Sequence, residues 1–136
     1  MYNLLVVDDE PFILESLGRM LEKECQEKFF VYKAASAALA LDIFENHRID
    51  MLITDICMPG MDGFALCREI RKSCDVPVIF ITARVLEEDV LNGYALGADD
   101  YVTKPFSLPV LYAKAMALTG RVQKSPVFLE VGGLKA

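Results

Sequence analysis

Short apolar runs alternate with longer amphipathic stretches along this chain. Five of the runs are too short for helices and are rich in β-branched or aromatic residues, which predicts β-strands. The first, third and fourth runs are apolar at almost every position, so we expect them to be central strands buried on both faces. The predicted strands are residues 3–7, 29–33, 51–54, 78–81 and 101–103.

Apolar residues at helical spacing predict five helices, one after each strand. The first begins at Pro11, a residue suited to the first helical position, and carries Phe12 among the apolar residues of one face. Ser36 can cap the second helix, and Asp62 or Gly63 opens the third. The predicted helices cover residues 11–25, a stretch after 36, a stretch from 62 or 63, about 87–96 and about 108–118.

The alternation of strands and helices predicts an α/β domain built around a parallel sheet. The 136 residues are 54% hydrophobic with 25% dispersed charges, a composition that excludes disorder for most of the length. After Gly120 the pattern changes, and Ser125 and Pro126 indicate a linker. We therefore expect one domain over residues 1–121, followed over 122–136 by a linker and the start of another, truncated domain.

Charge and cysteine content exclude several kinds of site. Twenty acidic and fourteen basic residues leave a net charge of −6, without the basic surface that nucleic-acid binding requires. Four cysteines without a CxxC pair, together with a single histidine, do not form a zinc motif. The first residues, MYNLLVVDDE, form neither a signal peptide nor a membrane span, so we expect a cytoplasmic protein with reduced thiols.

Polar side chains stand where the predicted strands end. Asp8 and Asp9 follow the first strand and Asp55 the third, while Thr82 follows the fourth and Lys104 the fifth. Ligands of open parallel sheets bind outside the carboxyl ends of the strands, so we expect these side chains to meet on one rim. A single aspartate after a strand is often only a helix N-cap, but separate caps do not explain the whole set.

Three carboxylates placed together repel one another unless a cation lies among them. All-oxygen ligands favour Mg²⁺, with Asp9 and Asp55 as direct ligands, Asp8 bound more often through water, and a backbone carbonyl beyond Asp55 as a further ligand. The ammonium of Lys104 and the hydroxyl of Thr82 can hold phosphoryl oxygens. The set therefore predicts in-line phosphoryl transfer to Asp55.

The motifs LLVVDDE, LITDICMPGMDG, VIFITAR and GADDYVTKPF resemble a response-regulator receiver domain of two-component signalling, over residues 2 to about 121. The resemblance implies a flavodoxin-like, doubly wound (βα)5 fold with a five-stranded parallel sheet in the order 2-1-3-4-5. It implies a sensor histidine kinase as phosphate donor and no enzymatic activity beyond the chain's own phosphotransfer and dephosphorylation. The implied site comprises the phosphoacceptor Asp55, the metal ligands Asp8, Asp9, Asp55 and the Cys57 carbonyl, the phosphate-binding Thr82 and Lys104, and the switch residue Tyr101.

Two other functions are weighed against this phosphorylated switch. A magnesium-dependent phosphohydrolase would carry its nucleophile after the first strand with a second acid two residues later, and the consecutive acids Asp8, Asp9 and Glu10 do not form such a separated pair. A non-phosphorylated interaction module of the same fold would be expected to have lost a metal ligand or the lysine, and none is lost. Incubation with acetyl phosphate and Mg²⁺, read as a mass gain that is absent in Asp55→Asn, would distinguish the three.

The far end of the chain resembles the OmpR/PhoB-type branch, which implies a winged-helix output domain, here truncated, as the part that binds DNA. Members of that branch form homodimers through the fourth helix, fifth strand and fifth helix, and Asp99 and Asp100 fit that pattern. Val90, Asn92, Val110 and Lys114 depart from it, which places the usual salt bridges in doubt. The candidates for an apolar replacement face are Val90, Leu91, Tyr94, Val110 and Leu111, with burial as the alternative for Leu91 and Leu111.

Two further sets of residues are expected to tune the switch. Glu15, Arg19, Phe106 and Ser107 are exposed candidates for kinase selection, on the first helix and the loop after the fifth strand. The side chains of Cys57 and Arg84 are expected to flank the path of the water that removes the phosphoryl group.

Overall fold

The computed structural model describes residues 2–24, 29–83, 98–104 and 107–119. Within them, helices cover a single sheet whose five strands are all parallel, in the order β2-β1-β3-β4-β5. The strands are β1 (Tyr2–Val7), β2 (Phe29–Ala34), β3 (Met51–Asp55), β4 (Val78–Thr82) and β5 (Asp100–Thr103). The helices are α1 (Pro11–Glu24), α2 (Ala37–Asn46), α3 (Gly63–Arg71) and α4 (Leu108–Leu118), the last being the predicted fifth helix.

The predicted strand order is confirmed, and it creates a switch point. Strand β1 pairs with β2 on one side and with β3 on the other, so the direction of winding reverses between β1 and β3. Parallel strands end at a common edge, and β3 pairs in turn with β4. The residues after β1 and β3 are therefore neighbours at this edge.

The core lies on both faces of the sheet, because successive residues of the central strands point to opposite faces and nearly all of them are apolar. Along β1, Leu4 and Val6 join the cluster covered by α1 and α4, while Leu5 and Val7 join the cluster under α2 and α3. Every residue of β3 and β4 is buried. The prediction of central strands buried on both faces is confirmed.

The predicted element boundaries are close to those of the structure. Each strand differs from its predicted range by one residue at one end, and α4 begins and ends where expected. The predicted caps of α2 and α3 are present: Ser36 accepts a hydrogen bond from Leu39 N–H and Asp62 accepts one from Ala65 N–H. The predicted fourth helix and residues 122–136 lie outside the described residues. None of the helices in the described ranges has the length and hydropathy needed to cross a bilayer.

One predicted burial in α1 is wrong. Phe12 is 83% exposed, and Leu14 is buried in its place with Leu17 and Leu21. The spacing of Leu14, Leu17 and Leu21 follows the three- and four-residue period of a helix face, whereas Phe12 lies about 200° around the helix from Leu14. Phe12 therefore points away from the sheet at the first turn.

Candidate functional site

The carboxyl edge of the sheet brings together the acidic residues that the sequence singles out. Asp8 and Asp9 follow β1, and Asp55 is the last residue of the adjacent strand β3. Asp8, Asp9 and Asp55 each offer a carboxylate oxygen, and these oxygens all lie within 4.8 Å of one another. Asp8 and Asp55 are buried and Asp9 is half-buried, so the cluster is largely removed from water.

Lys104, directly after β5, reaches this cluster from the opposite side. Its Nζ lies 3.0 Å from Asp8 Oδ2 and 3.2 Å from Asp55 Oδ2. Its backbone N–H donates to Thr82 O at 2.8 Å, which ties the start of the loop to the end of β4. Burial alone would favour the neutral amine, but the contacts with Asp8 and Asp55 outweigh it and raise the pKa of Lys104. The side chain therefore supplies a permanent positive charge.

Asp55 carries its charge at a cost. Burial raises the pKa of Asp55 above its ordinary value and the neighbouring charge of Asp8 raises it further, while the contact with Lys104 opposes both effects. The Cys57 backbone N–H donates to Asp55 Oδ1 at 3.3 Å, a long hydrogen bond that offers limited compensation. The Asp55 carboxylate is thus held in place by few contacts and can accept further hydrogen bonds or bind a cation.

Asp8 shows that the cluster fits a divalent cation. Its Oδ1 accepts a hydrogen bond from the Glu10 N–H at 2.9 Å. Its buried Oδ2 lies 3.0 Å from Lys104 Nζ and, apart from this ion pair, accepts no hydrogen bond from the described residues. A buried carboxylate oxygen without a hydrogen bond, beside two further carboxylates, is an environment that Mg²⁺ satisfies.

The loop between β3 and α3 is shaped to approach the site closely. Gly63 donates its N–H to Ile56 O at 2.9 Å. A Cβ at Gly63 would collide with the Asp55 carbonyl oxygen, so only glycine permits this approach. Asp62 caps α3 at the preceding position. The motif after Asp55 therefore has a structural reason that is separate from ligand binding.

Thr82 and Tyr101 occupy the neighbouring strands. Thr82 is buried at the end of β4, beside β5 residue Thr103 in register. Tyr101 is half-buried on β5, and its ring centroid lies 5.6 Å from that of Phe80. The exposed Cys57 follows Asp55 by two residues. All the predicted site residues thus lie on or next to strands β1, β3, β4 and β5.

The residues expected to form dimer contacts are engaged within the chain. Asp99 Oδ2 accepts a hydrogen bond from Val78 N–H at 2.8 Å, and Asp100 Oδ2 lies 2.8 Å from Lys114 Nζ. Val110 is 49% exposed, whereas Leu111 is fully buried, as its alternative interpretation held. Both aspartates therefore have partners without a second subunit.

The other predicted tuning residues divide between exposed positions and the undescribed part of the chain. Glu15 and Arg19 are exposed on α1, and the exposed Ser107 caps α4 by accepting a hydrogen bond from Val110 N–H. Outside the described residues lie Arg84, Val90, Leu91, Asn92, Tyr94 and Phe106.

Sequence reasoning did not identify Glu10 as part of the rim. Glu10 Oε1 lies 3.2 Å from Lys104 Nζ, across 94 positions of sequence. The signal was a third acid directly after Asp8 and Asp9, but local sequence does not show which way its side chain turns.

Known proteins share this architecture and much of this sequence. Residues 4–116 match the family described as the response regulator receiver domain. The chain is 41% identical over 123 residues to the transcriptional regulatory protein YvrH of Bacillus subtilis, covering 90% of this chain and 51% of YvrH. It is 38% identical over 124 residues to the nisin biosynthesis regulatory protein NisR of Lactococcus lactis, covering 91% of this chain and 53% of NisR.

A solved structure is also similar to this chain. The response regulator protein TrrA of Thermotoga maritima, crystallised in complex with Mg²⁺ and BeF, superimposes with a TM-score of 0.76 at 37% identity. The match covers 87% of this chain and 99% of that structure. The chain spans about half the length of the curated relatives it matches.

Proposed function

This chain belongs to the response regulator receiver domain family, and from that premise we propose that it accepts a phosphoryl group on Asp55 from the phosphohistidine of a sensor histidine kinase. The observation that carries the proposal is the position of Lys104 Nζ, 3.2 Å from Asp55 Oδ2 beside the buried Asp8. An ammonium next to a crowded carboxylate gives the site both a nucleophile and a binding group for the incoming anion.

In the proposed step, an oxygen of Asp55 attacks phosphorus and forms an acyl phosphate. The bond between phosphorus and the imidazole nitrogen breaks, and its electron pair returns to the ring of the kinase histidine. The ammonium of Lys104 pairs with one phosphoryl oxygen, and the Thr82 hydroxyl donates to another. These groups hold the phosphoryl group in line with Asp55, because both approach the same edge of the sheet.

The residues that would hold Mg²⁺ are Asp8, Asp9, Asp55 and the backbone carbonyl of Cys57. When bound, the ion neutralises the carboxylates and the charge that develops on the phosphoryl oxygens. The support for this assignment is the convergence of three carboxylates within 4.8 Å and the Asp8 oxygen that accepts no hydrogen bond from the described residues.

The proposed output is a change at the face formed by β5 and the helices beside it. Thr82 moves toward the phosphoryl group, and Tyr101 rotates into the space that Thr82 leaves. The protein acts in the cytoplasm, and the switch controls transcription through a DNA-binding output domain that begins within residues 122–136, with homodimers formed through the same face. The similarity to YvrH, a transcriptional regulatory protein, and to NisR, a nisin biosynthesis regulatory protein, supports this proposal.

Acetyl phosphate with Mg²⁺ tests the proposal directly. We expect intact-protein mass spectrometry to show a gain of one phosphoryl group in the wild-type chain and none in Asp55→Asn. Asp50→Asn is a matched control, because Asp50 is also buried but lies at the other end of the sheet. An unphosphorylated wild-type chain with an intact fold would instead support the alternative of a non-phosphorylated interaction module.

A further inference from the structure

Glu10 is the carboxylate of the rim that stands outside the predicted metal site. Its carbonyl accepts the first hydrogen bond of α1 from Leu14 N–H, so it occupies the N-terminal cap of that helix. Its N–H donates to Asp8 Oδ1 at 2.9 Å, which links its backbone to the buried cluster. Its side chain is 60% exposed and places Oε1 3.2 Å from Lys104 Nζ.

The contacts of Lys104 show why Glu10 matters once the metal site is filled. The ammonium lies at 3.0–3.2 Å from oxygens of Asp8, Asp55 and Glu10. Asp8 and Asp55 belong to the group whose oxygens converge for a metal ion, and Glu10 does not. If the ion takes up the charges of Asp8 and Asp55, Glu10 stays as the counterion of the ammonium that a phosphoryl oxygen must also bind.

We propose that Glu10 is a positioning residue, a displaceable counterion that holds Lys104 at the rim and lowers the affinity of the site for the phosphoryl anion. The inference rests on the proposed function. The Glu10 carboxylate competes for the ammonium and repels a doubly charged phosphate donor, so each phosphorylation event must displace it. Because the side chain is largely exposed, its effect is moderate and is screened by salt.

Glu15 supplies a matched control on the same helix. Its Oε1 lies 3.2 Å from Lys33 Nζ, and its side chain is 59% exposed. Glu10→Gln and Glu15→Gln therefore remove the same charge, from ion pairs of equal length in which the two glutamates are similarly exposed. They differ in whether the lysine partner lies at the rim.

The experiment measures initial rates of phosphorylation at varied acetyl phosphate and saturating Mg²⁺, with saturation established by titration for each variant. We expect Glu10→Gln to lower the half-saturating concentration of acetyl phosphate about two- to fivefold, with a maximal rate within about twofold of wild type. The dissociation constant for beryllofluoride, measured by calorimetry, should fall by a similar factor. Raising KCl from about 0.05 M to about 0.5 M should reduce these differences, because the exposed charge is screened.

Three results would overturn the inference. Half-saturation and beryllofluoride affinity in Glu10→Gln could equal those of Glu15→Gln and wild type, or half-saturation could rise, which would make Glu10 a helper of anion binding. A difference that does not respond to salt would indicate a structural effect of the substitution. By contrast, a wild-type chain that gains no phosphoryl mass would overturn the proposed function itself, and this inference with it.

Discussion

The two ends of the parallel sheet hold buried and half-buried aspartates in opposite circumstances. At the amino end, Asp50 precedes β3, its Oδ2 accepts a hydrogen bond from Asn3 N–H at 2.8 Å and its own N–H donates to Asn3 O at 2.7 Å. Asp99 precedes β5 and repeats this pattern with Val78, at 2.8 Å in both directions. Each carboxylate accepts a hydrogen bond from a backbone N–H near the start of the neighbouring strand, as a backbone carbonyl would within the sheet.

At the carboxyl end, the aspartates face one another. Asp8, Asp9 and Asp55 share a space in which Lys104 brings the opposite charge, and one buried oxygen of Asp8 accepts no hydrogen bond from the described residues. The same residue type is therefore satisfied at one end and crowded at the other. Burial of an aspartate does not by itself indicate function; the presence or absence of matched donors does.

Removing Asp50 should have the largest effect on stability. In Asp50→Ala, the Asn3 N–H loses its acceptor, and the ion pair between Arg48 Nε and Asp50 Oδ1, 3.1 Å apart, is lost. We expect the free energy of unfolding to fall by about 3 kcal/mol and the melting temperature by roughly 10 °C. Urea unfolding measures the first quantity and calorimetry the second.

The control for that variant is Asp75→Ala. The Asp75 side chain is 88% exposed, and its carboxylate lies 3.8 Å from Arg71 Nε. Little change in stability is expected there. Equal losses in Asp50→Ala and Asp75→Ala would contradict the structural role of the amino-end aspartate.

Magnesium should stabilise the protein through the carboxyl end alone. At a concentration about 100 times its dissociation constant, Mg²⁺ should add about 2.7 kcal/mol to the free energy of unfolding of the wild-type chain. The gain should persist in Asp50→Asn and be largely lost in Asp9→Asn and Asp55→Asn. Thermal melts with Mg²⁺ and with EDTA provide the measurement. A full gain in Asp55→Asn would place the ion elsewhere.

Without divalent cations, Asp55→Asn should stabilise the fold by about 1 kcal/mol at neutral pH, because it removes a buried charge beside Asp8. The pKa of Asp55 is raised in the folded state, so the folded state binds this proton more tightly than the unfolded state. The stability that comes from this tighter proton binding is therefore fully present at a pH below 3.8, the ordinary pKa of the group. It is lost as the pH rises through the raised pKa of the folded state.

Urea unfolding between about pH 4 and pH 7 in EDTA measures this difference. The wild-type chain should lose stability relative to Asp55→Asn as the pH rises. Asp50→Asn, which alters a carboxylate with matched donors, should show no such gain at neutral pH. A variant Asp55→Asn that is less stable than wild type at pH 7 would show that the contact with Lys104 outweighs the repulsion.

The smallest effect is expected for Asp99→Asn. The amide oxygen can still accept the hydrogen bond from Val78 N–H, so the loss of stability should stay below about 1 kcal/mol. Phosphorylation by acetyl phosphate should continue at a rate close to that of wild type. A loss of phosphorylation comparable to that of Asp55→Asn would mean that the amino-end aspartates also serve the site.

The elements that could be predicted from sequence are those whose signal is local. Strands β3 and β4 are continuous apolar runs, and α4 has its proline and serine at the expected start. The apolar face predicted for α1 includes Phe12 and omits Leu14, whereas in the structure Phe12 is exposed and Leu14 is buried. Helical spacing identifies the buried stripe only when the position of the sheet relative to the helix is known.

Apart from Glu10, the residues of the candidate site were predictable from the sequence, but the contacts among them were not. Asp8, Asp55 and Lys104 could be predicted because they stand at the ends of strands. The topology of a parallel sheet brings these strand ends together independently of the side chains. The sequence motif also made Asp99 a candidate for contact with a second subunit, whereas in the structure its carboxylate bonds to the backbone of β4. The position of an aspartate beside a strand does not predict whether a hydrogen-bond donor will lie within reach of its carboxylate.

Local periodicity and the order of polar residues along the chain were enough to predict the parallel sheet, the helices of the described ranges and, except for Glu10, the charged residues at the carboxyl edge of the sheet. Only the tertiary structure decided that the Lys104 ammonium contacts oxygens of Asp8, Glu10 and Asp55. It also decided that the Asp50 carboxylate has hydrogen-bond donors, whereas one oxygen of Asp8 has none among the described residues. The physical reason is that charge interactions depend on distances of a few ångströms and on exclusion of water. Lys104 is separated from Asp55 by 49 positions and from Glu10 by 94, so only packing sets those distances.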